Sequence, residues 1–198
     1  NEKENSMKIH SVKFNFIMNF IMAASSIVFP LITFPYVSRV LMAAGNGKVA
    51  TASAVITYFN MFASLGIPTY GIRACAKVRD DKDKLSQTVQ ELLIINSVTM
   101  FITCVAFVFT VALIPEFSAE KELYVINGIG MVLNMFAITW LYNALEQYAY
   151  ITTCNLLVKV VSLVLMLLLV RNPDDYIIYG GITVFASCAY YVFNFVYA

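Results

Sequence analysis

The sequence predicts an all-α integral membrane protein, a bundle of six transmembrane helices, and three observations predict it. Hydrophobic residues make up 60% of the chain and charged residues only 13%, with a mean hydropathy of +0.76, whereas soluble domains hold roughly 45–50% apolar and about 25% charged residues. The apolar residues fall into six long runs, each close to or above the roughly 20 residues that cross a hydrocarbon core. The charges gather between the runs, above all in GIRACAKVRDDKDKLSQT (71–88), which carries Arg73, Lys77, Arg79, Lys82 and Lys84. A single soluble domain could not bury so much apolar side chain. The net charge of +1 gives no reason to expect a nucleic-acid partner.

The first span is expected over 14–41, apolar except for Asn15, Asn19, a few hydroxyls and Arg39. Pro30 and Pro35 within it remove backbone donors and should bend its outer half. Gly45, Asn46 and Gly47 are expected to make the turn into the second span, 49–70, whose end is loosened by Gly66, Pro68 and Gly71. The basic stretch follows as a loop. The third span, 89–114, is closed by Pro115 and the acidic residues Glu116, Glu120 and Glu122. The fourth, 124–142, is separated from the fifth, 149–170, by a short segment, so the two are expected to pack as an antiparallel hairpin. RNPDD (171–175) ends the fifth, and 176–198 is the sixth. Residues 1–13 form a polar tail, and because 176–198 ends in an aromatic run without a polar tail, the chain is expected to be part of a longer polypeptide.

Basic residues set the orientation. With the N-terminus inside, the inner segments hold Lys3, Lys8, Lys13 and the five basic residues of 71–88, and the outer ones hold Arg39, Lys48, Lys121 and Arg171, with Lys159 in neither group. Eight against four predicts both termini in the cytoplasm. Membrane lipid is therefore one expected partner. Cys75, Cys104, Cys154 and Cys188 show no metal-ligand spacing and read as packing residues. The single histidine, His10, reads as interfacial. No nucleophile stands beside a base, no glycine loop suits a phosphate and no cluster suits a metal, so neither catalytic residues nor cofactors are expected.

The polar residues inside the spans recur at helical spacing: Asn15, Asn19 and Ser26 on the first; Ser53, Thr57, Asn60 and Ser64 on the second; Asn127, Gly130 and Asn134 on the fourth; Thr183, Ser187 and Asn194 on the sixth. Residues three, four and seven apart share a helix face. Each stripe serves either as glue between helices or as the wall of a wet cavity. On the fifth span Thr152, Asn155, Lys159 and Ser162 share a face, and Lys159 lies at mid-length, roughly 16 Å from either end at 1.5 Å per residue. A lysine at that depth costs about 2.5–3.5 kcal/mol on insertion scales. The spans offer no mid-depth Asp or Glu to pair with it, since Glu91 and Glu146 lie near the inner boundary. The arrangement suits a hydrated site for an anion, with Lys159, Asn155 and Asn19 as candidate contacts. Arg39 and Arg73, at span ends, are further candidates for exit and entry, although such residues commonly anchor helices at the interface.

FPLITFPYVSRVL (29–41), LGIPTYGIRACAKVRDDKDKL (65–85), TVQELLIIN (88–96) and WLYNALEQYAYIT (140–152) together resemble the N-terminal half of bacterial oligosaccharide flippases. These are the O-antigen and capsule repeat-unit translocases of the multidrug/oligosaccharidyl-lipid/polysaccharide exporter superfamily. The resemblance implies two six-helix lobes around a central cavity, of which 14–198 would be the first and a C-terminal lobe of the same polypeptide the second. It also implies the bacterial inner membrane and, as partner, a lipid-linked oligosaccharide carried on a polyprenyl pyrophosphate, flipped from the cytoplasmic to the outer leaflet for surface polysaccharide synthesis. Cation-coupled drug exporters of the superfamily commonly carry a carboxylate within this lobe, and the first span here has Asn15 and Asn19. That departure counts against drug export, and a drug or metabolite cation antiporter of the same fold stands as the alternative. A membrane-embedded lipid-linked glycosyltransferase would need clustered carboxylates, for which Asp80, Asp81 and Asp83 are a poor match.

Overall fold

The computed structural model describes residues 12–197, with side chains over 13–191. The tail expected at 1–13 lies almost wholly outside the described residues, as does the side chain of Asn194. Every α-helix or 3-10 turn among the described residues is part of one helical bundle without strands, the outcome lipid favours because a helix satisfies its own backbone donors and acceptors. The helices are α1 (Val12–Val40), α2 (Met42–Ser64), α3 (Ile67–Val78), α4 (Lys82–Leu113), α5 (Pro115–Ala119), α6 (Lys121–Asn134), α7 (Thr139–Ala144), α8 (Tyr148–Leu169) and α9 (Tyr176–Tyr197).

Among the described residues, five stretches are long and apolar enough to span a membrane: Lys13–Val40, Met42–Val78, Lys82–Leu113, Lys121–Ala144 and Tyr148–Leu169. On that criterion the expected count of six becomes five. The sixth run is present as α9, a helix of 22 residues that continues past the last described side chain. The outside of the bundle is apolar, with Phe16, Phe20, Leu31, Phe101 and Leu113 exposed on α1 and α4, as a lipid-facing surface requires.

Three boundaries differ from expectation. Gly45, Asn46 and Gly47 are helical, and the chain breaks earlier, at Leu41 and Met42, the latter with φ 55°. Gly45 serves close packing instead of turning: a Cβ there would sit 3.3 Å from the Pro173 carbonyl oxygen. The second span stops at Ser64, where Leu65 (φ 41°) and Gly66 (φ 74°) are both left-handed, and α3 restarts with Pro68 in its first turn, where a missing N–H breaks no helical bond. Most of the expected basic loop is therefore helix, and the reversal is confined to Arg79–Asp81, with Asp81 accepting a hydrogen bond from the Lys84 N–H at 3.2 Å to cap α4. The fourth span is interrupted between Asn134 and Thr139 by tight turns. That break sends α8 away from α6, so the expected hairpin gives way to packing of α8 on α1 and α9.

Side-chain bonds show the helix directions. Thr152 Oγ1 donates to the Met18 carbonyl (3.2 Å), Lys159 Nζ to Ser25 Oγ (2.8 Å) and Tyr36 OH to the Val170 carbonyl (2.8 Å), all at the same sequence offset of 134. A constant offset means that α1 and α8 run parallel. Met18, Ser25 and Tyr36 are spaced close to whole numbers of turns at 3.6 residues each, so one face of α1 makes all three contacts. α6 and α9 are also parallel, joined where Cys188 Sγ meets the Gly130 carbonyl at 3.4 Å and where Tyr176 OH donates to Glu120 at 2.8 Å. α2 and α4 are antiparallel, with Thr99 Oγ1 donating to the Ala63 carbonyl (2.7 Å) and Phe59 edge-on to Phe107 at 5.3 Å.

Candidate functional site

Lys159 projects from the middle of α8 toward α1, where its ammonium group donates to Ser25 Oγ at 2.8 Å and Ser26 Oγ at 3.1 Å and lies 5.9 Å from the Phe29 ring centre. Both serine hydroxyls in turn donate to the Met22 carbonyl, at 2.7 and 3.1 Å, which turns their lone pairs toward the lysine. Three ion pairs occur among the described residues, and none includes Lys159. Hydroxyls solvate the ammonium without cancelling its charge. The charge therefore stays available to an incoming anion.

Lys159 lines a cavity of about 390 Å³ between α1, α8 and α9, with Ser26, Thr33, Ser162, Tyr179 and Ser187 among its walls. A second cavity, of about 170 Å³, lies between α2, α6 and α9 and is lined by Ser53, Thr57, Asn60, Asn127, Asn134 and Tyr191, among others. Thr183 and Ser187 border both. Ser53, Thr57 and Asn60 of the second-span stripe thus meet Asn127, Gly130 and Asn134 of the fourth and Thr183 and Ser187 of the sixth, while Ser64 lies outside the cavity. Asn60 Oδ1 is buried there without a hydrogen-bond partner, while the Asn127 amide is fixed by donating to the Leu123 carbonyl at 2.9 Å. Neither cavity is lined by a carboxylate.

The other candidate residues do not join Lys159. Asn155 is half-buried one turn away and its Oδ1 has no partner, yet it lines neither cavity. Asn19 is exposed and belongs to a separate depression with Asn15, Glu146 and Tyr148. Arg39 is exposed in the last turn of α1 and Arg73 is exposed in the middle of α3, and neither lines either cavity. Thr152 is buried and ties α8 to α1. Sequence reasoning did not identify Ser25 or Tyr179. Ser25 carried no signal of its own, because its match to Lys159 follows from the pairing of α1 with α8 that also brings Met18 to Thr152.

Charged groups close the two ends. At the α3 end Arg79 pairs with Glu146 at 3.0 Å; Lys84 pairs with Asp81 at 2.9 Å, and that contact with the α4 cap holds the Asp81 carboxyl below its ordinary range. At the α5 end Glu120 binds Lys48 and accepts from Tyr176 OH, and the lysine is the main cause that lowers the Glu120 pKa. Asp175 is likewise lowered, by the backbone N–H groups of Arg171 and Asn172 at 2.8 Å each. No group of three or more potential metal ligands occurs among the described residues.

A family model described as "Polysaccharide biosynthesis protein" matches residues 12–198. Over 172 residues the chain is 25% identical to a protein of Escherichia coli (strain K12) named "Putative O-antigen transporter", covering 87% of this chain and 41% of that one. Over 167 residues it is 23% identical to a protein of the same name from Shigella dysenteriae, covering 83% and 41%. The chain therefore spans about two fifths of the length of these relatives. No solved structure matches it.

Proposed function

The chain belongs to the polysaccharide biosynthesis protein family, and from that premise we propose that it forms the N-terminal lobe of a flippase that carries a lipid-linked oligosaccharide across the bacterial inner membrane. A second lobe of the same polypeptide would face the polar side of this one and complete the cavity, a reading supported by the 41% coverage of the relatives. The work is translocation, with no bond made or broken.

The observation that carries this reading is Lys159, a mid-span cation solvated by two hydroxyls and open to a cavity of about 390 Å³. A bare anion entering a low-dielectric core faces a Born cost of order 20 kcal/mol. Fixed positive charge in a hydrated cavity lowers that cost for the diphosphate of a lipid carrier. A lysine attracts as a point charge, without the two-pronged grip of arginine, and so suits a site that must also release. The same charge argues against the alternative, a drug or metabolite cation antiporter: it would repel a cation, and neither cavity offers a carboxylate. A membrane-embedded glycosyltransferase has no supporting cluster among the described residues.

The test is export of surface polysaccharide in a flippase-null strain carrying the full-length protein. Lys159→Ala is expected to lower export at least tenfold and Lys159→Glu further, both accumulating normally in the membrane, while Lys159→Arg retains most of it. The paired change Ser25→Ala with Ser26→Ala removes the tie to α1 but keeps the charge, and should preserve export. Normal export by Lys159→Ala would make the lysine a packing residue and sink the reading.

A further inference from the structure

We infer that the smaller cavity between α2, α6 and α9 is a neutral sugar subsite, which takes one uncharged pyranose ring of the substrate while its anionic neighbour rests at Lys159. The inference builds on the flippase reading above and adds a division of labour to it: charge is handled at one cavity and ring hydroxyls at the other.

Three observations point to a sugar. The walls of the cavity carry no charged side chain, so an anion finds nothing to balance it there, and a cation finds no carboxylate. The walls do carry amides, hydroxyls and a phenol together, in Asn60, Asn134, Ser53, Thr57 and Tyr191. Side-chain amides and hydroxyls each offer both donors and acceptors, as sugar hydroxyls do, whereas a bare metal cation would use acceptors alone. Asn60 Oδ1 is buried without a partner, an acceptor that a sugar O–H or acetamido N–H would satisfy. Tyr191, whose ring centre lies 4.5 Å from that of Tyr190, adds an aromatic side chain to the wall.

Size and position agree. The volume of about 170 Å³ equals roughly five or six waters at about 30 Å³ each, enough for one ring and too small for two. Thr183 and Ser187 of α9 belong to both cavities, so the two are immediate neighbours on that helix. In a diphosphate-linked oligosaccharide the first sugar is bonded directly to the diphosphate. Adjacent charged and neutral subsites match that connectivity.

The experiment uses the purified full-length protein in lipid nanodiscs and two probes, the oligosaccharide released from the lipid carrier by mild acid and the polyprenyl diphosphate without sugar. Asn60→Leu and Asn134→Leu, on different helices, are expected to raise the Kd for the free oligosaccharide at least fivefold and to change that for the polyprenyl diphosphate less than twofold. Lys159→Ala should do the reverse. Each variant must elute from size exclusion as the parent does; with two positions on separate helices, a folding defect in one leaves the other to decide. Oligosaccharide binding within twofold of the parent in both asparagine variants would overturn the subsite. So would equal weakening toward both probes, or a sodium-dependent rise in the parent's Tm that Asn60→Leu abolishes, which would mark a cation site. Failure here leaves Lys159 untouched, whereas normal export by Lys159→Ala removes the flippase reading itself.

Discussion

Glu120 joins three elements through one carboxylate, taking the Lys48 ammonium from α2 and the Tyr176 hydroxyl from α9 at the start of α6. Lys48 also lies 4.6 Å from the Tyr176 ring centre, so the three side chains form a closed set. The lysine lowers the Glu120 pKa from its ordinary 4.5, which means the folded state holds the ionised form more tightly than the unfolded chain does. The stability this supplies is complete above pH 4.5 and is lost as pH falls through the lower, folded value. Glu120→Gln should therefore lower Tm at pH 7, with the difference from the parent shrinking as pH falls below 4.5. A deficit that persists unchanged in acid would assign the effect to packing. This set was hidden in the sequence, where Glu120 read only as part of an acidic turn. Lys159 was legible because depth along a span can be counted from residue numbers. Its serine partners were harder to read, since a lone helix face does not reveal which neighbour covers it, and Asn19, Arg39 and Arg73 fell away from the cavity for the same reason.

Among the elements, α3 depends most on a single close approach. Ile67, Gly71 and Cys75, each four residues after the last, form its buried face, and a Cβ on Gly71 would come within 2.6 Å of the Trp140 ring of α7. Trp140 is itself buried in the cluster with Cys75, Leu92 and Ile151, which limits how far the ring can move. Gly71→Ala should accordingly cost about 1–3 kcal/mol, the usual range for overpacking, read as a lowered Tm of the purified protein. Gly47→Ala is the control, because nothing lies within 4 Å of the added methyl and alanine is the better helix former; it should leave Tm unchanged or slightly raised. An equal loss in both would show that glycine matters for chain flexibility and not for the Trp140 contact. The i, i+4 pattern of α3 was present in the sequence, but the density of charge around it read as a loop. The break after Asn134 carried no proline or glycine to mark it, and so the fourth span read as continuous.

At the scale of the whole molecule, membrane class was legible from composition alone, while neighbour relations were not, because periodicity marks a face without naming what it meets. The structure adds directions that the sequence lacked. α1 runs parallel to α8 and α6 to α9, so Arg79, Asp81 and Glu146 share one end of the bundle and Lys48, Glu120 and Tyr176 the other. The α3 end also holds Arg73, Lys77, Lys82 and Lys84, and basic residues close to span ends, more than net charge, fix which end stays in the cytoplasm. The α3 end is therefore expected inside. A cysteine scan in intact cells tests this, in a full-length background with the native cysteines replaced. Asp81 is needed as the α4 cap, so the inner probe belongs one residue earlier, at exposed Asp80, and the outer probe at exposed Lys121. An impermeant thiol reagent should label Lys121→Cys from outside and reach Asp80→Cys only after the membrane is opened. The opposite pattern would invert the bundle and make the α3 end, with its basic residues, the extracytoplasmic face.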